Sequence, residues 1–190
     1  QVFSGCTNLK SVKLPKGLEM LEDFTFSDCT SLTEITLQEG LVVLSNDAFY
    51  GCTSLTDFIV APQNQTYASM DGVIYSSDKK DLVLCPPGRQ DEVFVIPNGV
   101  ERISGGAFLA CDYLSSIVVA DSVKVIQDFA FKDCASLAEI TIPSSVETID
   151  VWAFYDCLNL TDIYFDGTEM EWEAIAGSLQ LETVAVHFNQ

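Results

Sequence analysis

Seven cysteines and one histidine are the side chains with which this chain of 190 residues could cross-link, bind a metal or catalyse a reaction. Six of the cysteines form two groups of three, and within each group a cysteine recurs at every twenty-third position: Cys6, Cys29, Cys52, Cys111, Cys134 and Cys157. This spacing contains no C-x-x-C pair, so it predicts no zinc site. Each of the six lies between a repeated phenylalanine and a repeated leucine. We therefore expect free, buried thiols that act as small hydrophobic side chains with a weak S–H donor. Cys85 lies outside this series, and we expect it to be buried.

His187 is the only histidine, and it lies in a predicted C-terminal strand. A single histidine excludes a histidine-based metal cluster, and a catalytic triad would need serine and acid partners from elsewhere in the chain. The sequence contains no G-x-S-x-G, P-loop, H-E-x-x-H or EF-hand pattern. We therefore interpret His187 as structural or exposed. We predict that the chain is not an enzyme and has no catalytic, metal-binding or cofactor-binding residue.

Carboxylates recur at one point of a sequence repeat, two residues after a repeated leucine. The position holds Ser11, Glu34, Asp57, Ser116, Glu139 and Asp162, and the position two residues later holds Lys13, Thr36, Ile59, Val118, Thr141 and Tyr164. Carboxylates accept charge-assisted hydrogen bonds from basic groups and from hydroxyls. The first position therefore offers recognition chemistry, provided that the fold aligns the copies.

The element that must align them is a repeat of the form F-x-x-C-x-x-L-x-x-I-x-I, present in six copies. A single copy is too short to bury its own apolar side chains, so each coil must stack on the next. The last two apolar residues are two apart, which is the spacing of one face of a strand. Successive strands should therefore pair in parallel about 4.8 Å apart, and A-F-x-x-C should form a tight turn or a short helical piece.

Segments such as ISGGAFLACDYLSSIVVADSVKVI and IQDFAFKDCASLAEITIPSSVETI resemble the BspA-type leucine-rich repeats of bacterial surface proteins over nearly the whole chain. The resemblance implies an α/β, right-handed leucine-rich-repeat solenoid with a horseshoe-like shape. It would be strand-rich with short helical turns, a parallel concave sheet, an inserted β-hairpin and a C-terminal cap. It also implies surface display with adhesion or ligand binding, but its motif is a core motif and transfers no catalytic residue.

The repeat is interrupted twice. Phe49 and Phe108 are further apart than two repeat periods, and the intervening sequence predicts two short strands, 73–75 and 82–85, joined by a polar turn. This segment either has an architectural role, extending the sheet or bridging the two repeat blocks, or forms a loop that contacts a partner. After Phe165, a helical spacing and then an alternating strand predict a cap, in which Trp172 is interpreted as a core residue and alternatively as a ligand platform.

We therefore divide the single domain 1–190 into four parts. They are a first repeat block (1–61), an inserted hairpin segment (62–97), a second repeat block (98–165) and a C-terminal cap (166–190). The chain begins part-way through a repeat, so we expect it to be a fragment of a longer protein.

The charge is strongly one-sided, with 9 Lys and Arg against 28 Asp and Glu and a net charge of −19. Such a surface repels phosphate backbones and anionic lipid headgroups, which argues against binding to nucleic acid or to a membrane surface. No stretch approaches the roughly 18 consecutive apolar residues of a membrane helix, so we expect no membrane insertion of this segment.

These features predict an extracellular, non-catalytic module that binds a protein or glycan ligand, with host extracellular matrix among the candidates. The expected binding face is concave and consists of Glu34, Thr36, Asp57, Ile59, Ser116, Val118, Glu139, Thr141, Asp162 and Tyr164. The alternative for these residues is that they are ordinary solvated strand residues. The alternative for the chain is a structural spacer of a larger surface protein with no ligand of its own.

Overall fold

The computed structural model describes residues 2–176, 179, 181 and 183–189. Within them the chain forms a strand-rich solenoid of about seven turns, with a single α-helix near the C-terminus. The expected leucine-rich-repeat solenoid is therefore present, while its handedness and horseshoe-like curvature stay predictions.

One side of the solenoid carries the strands that the L-x-x-I-x-I pattern predicts. We number the strands in chain order, and those on this side are β2 (Glu34–Leu37), β4 (Asp57–Val60), β8 (Val93–Val95), β10 (Ser116–Val118), β12 (Glu139–Pro143), β14 (Asp162–Asp166) and β15 (Ala185–Phe188). They pair in parallel, as expected, in a two-stranded sheet (β2-β4) and a five-stranded sheet (β8-β10-β12-β14-β15). In β12, Ile140 and Ile142 are buried while Glu139 and Thr141 point outward, as the two-residue alternation requires.

A second series of parallel strands was not predicted from the sequence. It comprises β1 (Met20–Leu21) with β3 (Val43–Leu44), and β9 (Arg102–Ile103), β11 (Val125–Ile126) and β13 (Thr148–Ile149) in a larger sheet. The apolar pairs that end each repeat, such as Val123 with Ile126, supply the buried residues of this side. Most complete coils therefore carry two strands, one on each of these two sides. Each strand of the second series pairs with its equivalent in a neighbouring coil, as β11 does with β9 and β13.

The A-F-x-x-C segments form the third side of the coils. One of them contains a short 3-10 helix, Asn46–Phe49, and the others are turns. The residue immediately before each repeated cysteine has a positive φ of 55° to 73°, and these residues are Gly5, Asp28, Gly51, Ala110, Asp133 and Asp156. Left-handed backbone is easiest for glycine and tolerable for aspartate, which accounts for five of the six residue types.

Stacked phenylalanine rings run along the core. Ring centroids are 5.1 Å apart for Phe3 and Phe26 and 5.5 Å apart for Phe26 and Phe49. In the second block, Phe131 lies 5.4 Å from Phe108 and 5.3 Å from Phe154. Full burial of each ring stabilises the fold by about 1.5–3 kcal/mol. The repeat spacing thus places each ring directly beside its equivalents in the adjacent coils.

The inserted segment contains the two strands expected at 73–75 and 82–85, found as β6 (Val73–Ser76) and β7 (Asp81–Leu84) in an antiparallel pair. It also contains β5 (Tyr67–Met70), which pairs antiparallel with β6 and was not predicted. Its last strand, β8, lies in register with β10, with Phe94 opposite Ile117. Regular strand pairing in the second block therefore starts before the expected boundary at residue 97.

The C-terminal segment contains the helix and strand that the sequence predicts. Helix α1 spans Glu169–Ala176, and Trp172 is buried against Phe165 at a centroid distance of 5.3 Å. This contact supports the interpretation of Trp172 as a core residue. Strand β15 then pairs with β14 as the edge strand of the five-stranded sheet.

Candidate ligand-binding face

The ten residues predicted to bind a ligand all lie on the strands of the first side, with their side chains outward and none of them buried. We call this surface the strand face. Glu34 is opposite Asp57, and Thr36 is opposite Ile59. Ser116, Glu139 and Asp162 are aligned across β10, β12 and β14, as are Val118, Thr141 and Tyr164. The repeat period therefore produces the aligned columns that the sequence suggests.

The structure does not join these residues into one sheet. The edge of β4 that would face the next coil contacts the inserted hairpin instead: Phe58 donates its backbone N–H to Gly72, and Val60 donates to the hydroxyl of Ser69. Four of the ten residues therefore lie on the two-stranded sheet and six on the five-stranded sheet. The insertion separates the strand face into two acidic patches.

The aspartates of both patches are oriented by the threonine that precedes each of them. Thr56 donates its hydroxyl to Asp57 Oδ2 at 2.7 Å, and Thr161 donates to Asp162 Oδ2 at 2.8 Å. In each case this hydrogen bond holds one oxygen of the carboxylate. This arrangement holds two acceptors in place before a ligand arrives, which lowers the entropy lost on binding.

His187 also belongs to the strand face. The interpretation of this residue as structural or exposed did not place it there. Its Nε2 lies 2.7 Å from Asp162 Oδ1, and its ring stacks on Tyr164 at a centroid distance of 4.8 Å. The hydrogen bond from His187, followed by that from Thr161, lowers the pKa of Asp162. The signal was present in the sequence, because His187 follows Tyr164 by one repeat period and so continues the repeat position.

Val93 and Val95 were also missed. They lie opposite Ser116 and Val118 on the neighbouring strand and are 53% and 63% exposed. Each precedes its partner by one repeat period, but the interrupted sequence around them hid this relation. The column that ends in Tyr164 and His187 therefore begins with exposed Val95, and Val93 begins the neighbouring column. The second patch is thus apolar at one end and aromatic at the other.

The inserted segment places one arginine beside the first patch. Arg89 pairs with Asp91, lies 2.9 Å from Asp71 Oδ2, and covers the ring of Phe94 at 5.3 Å. Arg89, Asp71 and Asp91, but not Phe94, line a shallow cleft together with Asp57. Because Arg89 is already paired with two acids, it leaves the carboxylate of Asp57 available.

The cysteines form a ladder of hydrogen bonds inside the coils. Cys29, Cys52 and Cys134 donate their thiols to the backbone carbonyls of Phe3, Phe26 and Phe108 at 3.0–3.1 Å. All seven cysteines are free, and Cys85 is fully buried as expected. Burial raises the pKa of Cys52 to about 12. The interpretation of the repeated cysteines as buried hydrophobic residues with a weak donor is confirmed for Cys29, Cys52, Cys111 and Cys134. Cys6 is exposed and Cys157 is only partly buried.

No group of three or more His, Cys, Asp and Glu side chains in the described part of the chain is arranged to hold a metal ion. No helix among the described residues is long and apolar enough to span a membrane.

Stacked coils with repeated core phenylalanines, cysteines and leucines and parallel outward strands define a leucine-rich-repeat protein. The model of the BspA type leucine-rich repeat region matches six copies in this chain, over residues 1–78 and 91–189. The chain belongs to this family, as the sequence resemblance indicated.

Several solved structures are similar to this chain. The pneumococcal vaccine antigen PcpA is 25% identical, with a TM-score of 0.70 over 95% of this chain and 51% of PcpA. A leucine-rich-repeat protein from Eubacterium ventriosum shares the fold at 16% identity and a TM-score of 0.50, over 80% of this chain and 54% of its own. A leucine-rich cell surface protein from Faecalibacterium prausnitzii is 26% identical, with a TM-score of 0.47 over 92% of this chain and 64% of its own. A search of curated proteins finds no match. The chain thus spans about half the length of PcpA.

Proposed function

We propose that this chain is a non-catalytic interaction module of a bacterial surface protein, in which the strand face binds a protein partner rich in lysine or arginine. Membership of the BspA-type family and similarity to a pneumococcal vaccine antigen support surface display. The strand face supports the partner class, because it presents acids in ordered positions on a scaffold that is already rigid.

The observation that carries the proposal is the direct opposition of like charges. Glu34 faces Asp57 on adjacent strands, and Glu139 faces Asp162. Like charges directly opposite each other destabilise a sheet by a few tenths of a kcal/mol up to about 1 kcal/mol. Folding alone does not need these pairs. A cationic side chain placed between the two carboxylates would remove the repulsion and gain charge-assisted hydrogen bonds, so the arrangement favours a basic ligand.

The test is a solid-phase binding screen against host matrix proteins, using the parent chain and a variant with Glu34, Asp57, Glu139 and Asp162 changed to serine. A charge-matched control changes four exposed acids away from the strand face to serine, namely Glu19, Glu22, Asp23 and Asp121. Both variants make the net charge less negative by the same amount. We expect binding by the parent and the control but not by the strand-face variant, with weaker binding as salt rises.

Equal binding by the parent and the strand-face variant would overturn the assignment of the site. Equal loss in both variants would show that only net charge matters. If the parent chain binds no member of the screen, the result favours the spacer alternative, in which other domains of the longer protein make the contacts.

A further inference from the structure

A groove lies on the turn side of the solenoid, away from the strand face, where the two repeat blocks meet. It has a volume of about 390 Å³ and is lined by Asn46, Asp47, Gly105, Gly106, Leu109, Asp128, Phe129 and Lys132. This volume is within the range of roughly 300–1,000 Å³ that small-molecule sites occupy. We call it the junction groove.

The groove exists because one side chain is missing from a column. The position two residues before each core phenylalanine holds Phe24, Asp47, Gly106, Phe129 and Trp152. Gly106 has a φ of +69°, and a Cβ on it would lie 3.0 Å from Asn46 Cβ, so the close contact between blocks requires glycine. Its neighbour Gly105 accepts a hydrogen bond from the Asn46 amide across the junction. The space above these glycines is therefore open, with Asp47 on one wall and Phe129 on the other.

The two walls offer an acceptor and a donor with unused hydrogen-bonding capacity. Asp47 is partly buried, and among the residues that the structure describes no side chain donates to its carboxylate. Burial raises its pKa, with the charge of Lys132 acting in the opposite direction. Lys132 Nζ lies 3.9 Å from Asp133 Oδ2, beyond hydrogen-bond distance. A ligand with several hydroxyls can bond to both groups, because a hydroxyl donates and accepts.

An aromatic surface adjoins this polar pair. Phe129 is 39% exposed. Its backbone is left-handed, with φ of 60°, a strained conformation for a bulky residue. Tyr155 contacts the Phe129 ring edge-on at 6.0 Å, and Trp152 contacts Tyr155 at 5.9 Å. Lys132 lies over the rings of Phe129 and Tyr155, at 5.8 and 6.0 Å. These contacts hold the lysine and the rings in defined positions.

We propose that the junction groove is a carbohydrate site that binds a pyranose ring of a neutral glycan. The C–H face of the sugar would lie on Phe129, whose ring face carries negative charge density. Its hydroxyls would donate to Asp47 and accept from Lys132. This site is separate from the strand face and adds a second ligand class to the proposed protein-binding function.

The charges of the groove select against anions, because a phosphate or sulfate would approach Asp47 and Asp128. A lysine or arginine side chain would meet these two acids as well as Lys132, so it is the competing ligand, and the basic peptides in the experiment test it. A neutral ligand with many hydroxyls and an apolar face meets no like charge. A second cleft of about 200 Å³ beside Trp152 and Tyr155 gives room for a further sugar unit.

The experiment measures binding of free neutral oligosaccharides built from hexose and N-acetylhexosamine units, by saturation-transfer NMR and biolayer interferometry, beside an arm of basic peptides. Phe129→Gly removes the ring and relieves the left-handed strain, so it should not unfold the chain. Phe24→Gly is the matched control, since Phe24 holds the equivalent repeat position with φ of 57° and 38% exposure but lies outside the groove. Asp47→Asn removes the charged acceptor with little change of shape.

We expect at least one neutral glycan to bind, with affinity reduced about tenfold or more by Phe129→Gly and by Asp47→Asn. Phe24→Gly and the four-acid strand-face variant should bind that glycan like the parent chain. The proposal is overturned if no glycan on the panel binds at millimolar concentration, if Phe129→Gly and Phe24→Gly weaken binding equally, or if only the basic peptides bind through this groove. Failure here leaves the strand-face result unaffected, because that variant is scored on matrix proteins.

Discussion

Removal of one phenylalanine ring from the core tests how the coils hold together, and Phe131→Ala is the most informative change. Phe131 is fully buried and stacks on a ring in each adjacent coil, Phe108 and Phe154. Truncation of a buried phenylalanine to alanine costs about 3–5 kcal/mol, because transfer energy is lost and a cavity remains. The equivalent residue at the start of the ladder, Phe3, is only half-buried and has one ring neighbour, Phe26. For Phe3→Ala we expect a loss of about 1–2 kcal/mol.

Urea unfolding of both variants, followed by far-UV circular dichroism and by tryptophan fluorescence, provides the measurement. Trp152 and Trp172 both lie in the C-terminal half of the chain, so fluorescence reports on the coils around Phe131. We expect Phe131→Ala to lower the fluorescence midpoint much more than Phe3→Ala does. A loss of less than about 1.5 kcal/mol for Phe131→Ala, or equal losses for the two variants, would refute the conclusion that the stacked rings couple neighbouring coils.

Three further predictions concern the backbone, a carboxylate and the thiols. Ala110→Gly should raise the free energy of unfolding by about 0.5–1 kcal/mol, measured by urea unfolding, because Ala110 has φ of 55° and glycine adopts this conformation without strain. In a ¹³C NMR titration the pKa of Asp162 should lie below the ordinary value of about 3.9, and His187→Leu should raise it. The contact between Asp162 and His187 stabilises the fold above the unfolded-state pKa of the aspartate, and this stabilisation is lost as the pH falls through the folded-state pKa. With a thiol reagent at pH 8, exposed Cys6 should react quickly in the folded protein and Cys52, with a pKa of about 12, only after unfolding.

Three experimental results would contradict these predictions. A lower unfolding midpoint for Ala110→Gly would mean that the entropy glycine adds to the unfolded chain outweighs the strain. An Asp162 pKa that does not change in His187→Leu would show that the histidine contact does not persist in solution. Modification of Cys52 as rapid as that of Cys6 would show that the thiol ladder opens readily.

The fold was predictable from the sequence because its causes are local and repeated. Each copy places its phenylalanine, cysteine and leucine at the same point of the coil, and burial of these residues requires the next copy. The two-residue alternation then decides which strand residues point outward. For this reason all ten residues of the expected binding face lie on the strand face in aligned columns.

The interruptions were harder to predict. The period that would place His187 beside Tyr164, and Val93 beside Ser116, is present in the sequence, but irregular segments separate these residues from the clear copies. Only the tertiary structure brings these residues side by side on adjacent strands. The separation of the acids into two patches likewise depends on the hairpin covering the edge of β4.

By itself the sequence determined the solenoid, its buried positions and the outward columns, because stacking acts between residues one repeat apart. Only the tertiary structure decided what happens where that period fails. The Asn46 amide bonds to Gly105 from the far side of the insertion, and this contact closes the two blocks around the junction groove. No periodic pattern encodes such a contact, since it depends on the path of the whole inserted segment between the two blocks.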